Sequence, residues 1–118
     1  MRMLVAAVLL ITCSAAVADE VDDAHKLAVS GRDAYWNCLA REYPRDNNKT
    51  MSDQEFTSLI ASVCASERQN FRVSLIDFLS LQFPKEGPDA NLATANRAIE
   101  LAQKDIVNAF VRRGAAAK

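Results

Sequence analysis

The chain has 118 residues, with 14 Lys and Arg against 15 Asp and Glu, one His, and a formal net charge of −1. Half of it is hydrophobic, enough for the modest core of one small domain. A balanced charge without a basic face argues against nucleic-acid binding, and a single histidine narrows the scope for acid–base catalysis.

The N-terminus reads as a sorting signal. "MRMLVAAVLLITCSAAVADE" carries one cation, Arg2, then an apolar run from Met3 to Ile11, then small residues ending in Ala16-Val17-Ala18. This order predicts a cleavable secretory signal peptide over residues 1–18, leaving one helical domain over 19–118. A spanning helix needs about 20 apolar residues, and this run stops well short at Thr12-Cys13-Ser14, so no transmembrane segment is expected in the mature chain. A minor alternative makes Cys13 the lipid-bearing cysteine of a lipoprotein, although Thr12 is larger than such signals prefer. Without Arg2 the mature chain has 13 cations against 15 anions, a charge near −2. Its location is then exported, periplasmic or extracellular.

The first helix is expected from about Glu20 to Tyr43. Val21, Ala24, Ala28, Gly31, Tyr35 and Cys38 recur at helical spacing, with Leu27, Ala34 and Leu39 widening the stripe. Acidic residues Asp19, Glu20, Asp22 and Asp23 crowd its start, where the helix dipole favours them. Pro44 follows its end. The stripe is mostly small, which permits close approach of a second helix. Tyr35 and Trp36 are assigned to packing, with a ligand groove as the alternative. Asp22 and His25, three apart, are a weak metal pair; a solvated helix start accounts for them better, and no metal or other cofactor is expected.

The loop "PRDNNKT" contains Asn48-Lys49-Thr50, a glycosylation sequon in form and an ordinary polar loop by composition. "MSDQEF" then supplies a capping box, Ser52 with Glu55, and a hydrophobic staple, Met51 with Phe56. The second helix is expected from there to Pro84, with a break near Asn70 left open because so long a helix is unusual. Ile60 and Val63 fall on its main stripe and are expected to be buried. Val73, Ile76, Leu81 and Phe83 enrich its apolar end beyond one face. A strand over 71–83 is the minor alternative. Burial between two other helices is the plainer reading of this surplus; the sharper reading makes these four residues a candidate contact surface, with Ile76 assigned to cover by the third helix and Leu81 to exposure. The third helix begins near Pro88 or Asp89, carries Leu92, Ala95, Ile99, Ala102, Ile106 and Phe110 on one face, and ends at a Gly114 cap.

Two cysteines remain after signal removal, Cys38 and Cys64. They are too far apart for a C-x-x-C pair and lack companions for a metal site or a catalytic thiol. An even number in an exported chain points to a disulfide, whose loop closure contributes about 3–4 kcal/mol. The expected fold is all-α: a three-helix bundle whose first two helices form a disulfide-stapled antiparallel hairpin. No Ser/His/Asp set, H-E-x-x-H motif or Gly-rich phosphate loop is present. The expected role is a non-enzymatic interaction or accessory protein that meets an unknown protein partner or itself. A small periplasmic stress chaperone is the alternative by size, export and helix content, and a small-ligand carrier or enzyme comes third.

Overall fold

A computed structural model describes residues 11–116, with side chains over 18–115. The leading part of the signal reading, and the side chain of Cys13, lie outside the described residues. The described chain is all-helical, in the order α1 (Ile11–Ala40), a 3-10 turn (Asp46–Asn48), α2 (Asp53–Ser62), α3 (Ala65–Gln82) and α4 (Pro88–Ala116). The strand alternative over 71–83 is thereby removed.

Helix α1 ends three residues before the expected Tyr43. Its last turn tightens as the Arg41 and Glu42 amides bond back three residues to the Cys38 and Leu39 carbonyls, a common way to finish a helix. Helix α2 begins where its capping signal lies. The Ser52 hydroxyl accepts from the Glu55 amide at 3.1 Å, and Phe56 is fully buried with Met51 packed against the same core. Pro88 opens α4, where its missing amide costs nothing.

The expected second helix is two helices, and the break is not at Asn70. Val63 is extended, and Cys64 takes left-handed angles of φ 60° and ψ 41°. It is the one non-glycine residue with positive φ among the described residues, a conformation disfavoured for L-residues outside Gly, Asn and Asp. The gap is bound on both sides. Arg68 Nη1 donates to the Ala61 carbonyl at 2.7 Å, closing the C-terminus of α2, while the Arg68 amide bonds the Cys64 carbonyl at 2.9 Å, opening α3.

The break redistributes the packing. The expected hairpin of the first two helices is revised: the main partner of α1 is α3, and α2 packs on α4. Helices α1 and α3 are antiparallel, since Cys38 meets Cys64 while Gly31 meets Phe71 and Ser74. Helix α4 runs back along both halves. Asn91 Nδ2 donates to Ser80 Oγ at 3.4 Å and Arg72 Nε donates to Asn96 Oδ1 at 3.0 Å. Further along, the rings of Phe56 and Phe110 stack at 3.9 Å.

The core is centred on Tyr35, Leu39, Phe56, Ile60, Phe71 and Ile106. Ile60 is fully buried as expected. Val63 is only half-buried because it sits in the extended break. Leu92, placed on the core stripe of α4, is exposed, whereas Ala95 to Phe110 of that stripe are buried. Gly114 is not a left-handed cap: α4 passes through it to Ala116.

Candidate functional site

Cys38 and Cys64 are disulfide-bonded, with Cα atoms 6.1 Å apart, inside the range a bridge needs. The bond ties the last turn of α1 to the left-handed residue between α2 and α3. The Glu67 carboxylate lies beside it, and the three residues bring possible donor atoms within 4.8 Å of one another. Both sulfurs are occupied by each other, so in this oxidised form the group does not offer three metal ligands.

Tyr35 and Trp36 do not share a groove. Neighbouring helical positions point about 100° apart. Tyr35 is fully buried; its hydroxyl accepts from Gln103 Nε2 at 2.9 Å, and its ring lies 6.4 Å from that of Phe71. Trp36 is exposed at a shallow depression between α1 and α4 that Asp105 and Arg112 also line. The Asp22–His25 pair is also dispersed. Asp22 pairs with Lys26 at 3.1 Å, which raises the lysine pKa through their hydrogen bond, while the His25 ring packs 5.1 Å from that of Phe78.

Asn48 is built into the fold. It is buried, and its Nδ2 donates both to the Glu42 carbonyl at 2.9 Å and to the Glu42 carboxylate at 3.2 Å. The sequon nitrogen therefore links the end of α1 to the loop. Alongside it, the Lys49 ammonium bonds Asp46 at 2.8 Å and holds that exposed carboxyl below its ordinary pKa.

The candidate contact surface does not stay together. Val73 and Leu81, eight apart on α3, line one groove that Ile76 does not, and Phe83 lies past the last residue of α3. Ile76 is half-buried, one turn beyond the Arg72 that reaches α4. Phe83 is exposed near Val21, His25 and Phe78 in a separate depression. Val73 and Leu81 are 49% and 39% exposed and are joined from α1 by Leu27, at 65%. Together with Ala24 they floor an open groove of about 640 Å³ between α1 and α3. Its rim carries three carboxylates, Glu20, Asp23 and Asp77, and no cation lines it.

Leu27 is the residue of this groove that sequence reasoning misplaced, having counted it at the edge of the buried stripe. The signal that could have found it is the spacing Glu20, Asp23, Leu27, a second face of α1 that carries acid and a large apolar side chain together.

No family model, curated protein or solved structure matches this chain. Among the described residues no helix is long and apolar enough to cross a membrane.

Proposed function

We propose that this is an exported, non-enzymatic interaction protein whose contact face is the α1–α3 groove. The observation that carries the reading is the exposure of Leu27, Val73 and Leu81 side by side over one groove. Large apolar residues scattered singly over a surface are ordinary; gathered ones mark contact sites.

Export is supported by the disulfide, and the charge pattern fits the expected cut. A disulfide closing a 26-residue separation suits an oxidising compartment. Cleavage after Ala18 would also turn Asp19, Glu20, Asp22 and Asp23 into the first turn of α1, where four carboxylates meet the positive end of the helix dipole. The groove starts at Glu20, so it survives that cut.

The test is photocrosslinking in the native envelope or secreted fraction, with a crosslinking amino acid at Val73 and a control at Leu101. Leu101 is 61% exposed on α4 and outside the groove. One protein captured at Val73 and not at Leu101, and lost on Leu27→Ser, is the expected result. A spread of unrelated unfolded clients would instead favour the chaperone reading. N-terminal sequencing of the same material should begin at Asp19; an intact Met1 or a lipidated Cys13 would overturn the signal assignment.

A further inference from the structure

Resting on the reading of the groove as a contact face, we infer that its occupant is a cationic amphipathic helix of about three turns, presented by a partner protein. Three features of the groove select this occupant. The first is its length. The lining residues of α3 run from Asn70 to Leu81, eleven steps of about 1.5 Å, or about 16 Å, which is three helical turns.

The second is its shape. Two antiparallel helices present a trough on each side of their contact. Arg72 and Ile76 lie on the flank of α3 that turns toward α4. Asn70, Asp77 and Leu81 lie on the opposite flank, where the trough is open. A helix laid there would be to α1 and α3 what α4 is on the other side. Apolar anchors at i, i+3 or i+4, and i+7 would meet Val73, Leu27 and Leu81 in turn.

The third is charge, and it decides between a second copy of this chain and a different protein. Glu20, Asp23 and Asp77 form no ion pair among the described residues. The neighbouring Lys26 is turned away to Asp22. Two copies joined through this face would bring all three carboxylates of each against those of the other, and like charges set together in an interface oppose association. Lys or Arg beside the apolar anchors of a foreign helix would satisfy the same rim. Long basic side chains suit this, because their stems lie on apolar surface while their charges reach the carboxylates. The small area of such a contact places it among weak, exchanging interfaces.

The experiment uses the mature, oxidised protein and two labelled synthetic helices. Both carry Leu at i, i+4 and i+7. One is flanked by Lys and the other by Glu at the same positions. Fluorescence anisotropy should give binding of the Lys helix in the micromolar range, and at least about tenfold weaker binding of the Glu helix. Raising salt from about 50 mM to about 300 mM should weaken the Lys helix severalfold. Leu27→Ser and the double variant Asp23→Lys/Asp77→Lys should each weaken it about tenfold or more, and Leu101→Ser should not change it. All four positions are exposed, and circular dichroism checks that each variant is folded. Equal binding of the two helices, no binding of either, or indifference to both groove variants overturns the inference. So does a dimer in sedimentation equilibrium that Leu27→Ser dissolves. If a native partner crosslinks at Val73 while the Lys helix fails to bind, the contact-face reading stands and the cationic helix falls. If neither occurs, both fall.

Discussion

Replacing Gly31 by alanine tests a close approach of α1 to α3. A Cβ added there would lie 2.9 Å from Ser74 Oγ and 3.1 Å from the Phe71 Cα. Ser74 can turn away, giving up its bond to the Asn70 carbonyl at 2.8 Å. Phe71 cannot yield so easily: the contact is with its backbone, and the residue is held in the core, only 3% exposed. Two effects then oppose each other. Alanine gains about 1 kcal/mol of helix propensity over glycine. Forcing α1 and α3 apart costs about 1–3 kcal/mol, as overpacking of a filled interface does. The clash is the larger, and the expected net loss is about 1 kcal/mol, a fall in Tm of about 4–8 °C for a domain of this size. Gly114→Ala is the internal control. Gly114 is also helical, but its added Cβ meets nothing within 4 Å, so the same substitution should leave Tm unchanged or raise it. Thermal unfolding by circular dichroism, with the disulfide intact, measures both. A Gly31→Ala protein more stable than the parent would show that the two helices do not approach as described.

The same assay reaches four further features. The double variant Cys38→Ser/Cys64→Ser should stay helical and lose about 2–4 kcal/mol; quantitative free thiol in freshly exported protein would refute the bridge. Ile60→Ala should cost about 2–4 kcal/mol, and Leu27→Ser, on the open groove, less than about 0.5 kcal/mol; similar losses at the two sites would remove the distinction between core and groove. Asn48→Ala should cost about 1–3 kcal/mol by stranding its partners on Glu42, whereas Asn47→Ala beside it, which is exposed, should be neutral. Ser52→Ala should cost about 1 kcal/mol as a lost helix cap, and an unchanged urea midpoint would contradict that role.

Those features of the chain that are written locally were legible. The Ser52 cap and Met51–Phe56 staple specify the start of α2 within six residues, and Pro88 specifies that of α4 by its own geometry. The bridge followed from the even number of cysteines and the exported compartment expected from the N-terminus. The break at Cys64 was not legible, because neither Pro nor Gly marks it and the apolar spacing passes through it undisturbed. One faint local sign exists: Glu67 stands three residues after Cys64 as Glu55 stands three after Ser52, a capping pattern with a thiol in place of a hydroxyl. What holds a left-handed cysteine there is non-local, the covalent tie to α1. Which apolar residues of α3 stay exposed was half legible for a related reason. An excess of apolar residues on α3 could be counted, but which flank α4 would cover depended on the third dimension. Ile76 falls outside the groove, while Val73 and Leu81 meet Leu27, which precedes Val73 by 46 residues in the chain.

The groove lies on two of the four helices that build the core, and its large apolar residues, Leu27, Val73 and Leu81, are not core residues. Tyr35, Leu39 and Phe71 hold the helices together, while Leu27, Val73, Asp77 and Leu81 look outward. This makes the α1–α3 pair a frame whose outer face is open to redesign. A library varied at Glu20, Asp23, Leu27, Val73, Asp77 and Leu81 would sample new shapes and charges on a trough already fixed in width by Gly31 and pinned at one end by a covalent bond. Selection from such a library would act on recognition, with folding left to residues the library never touches.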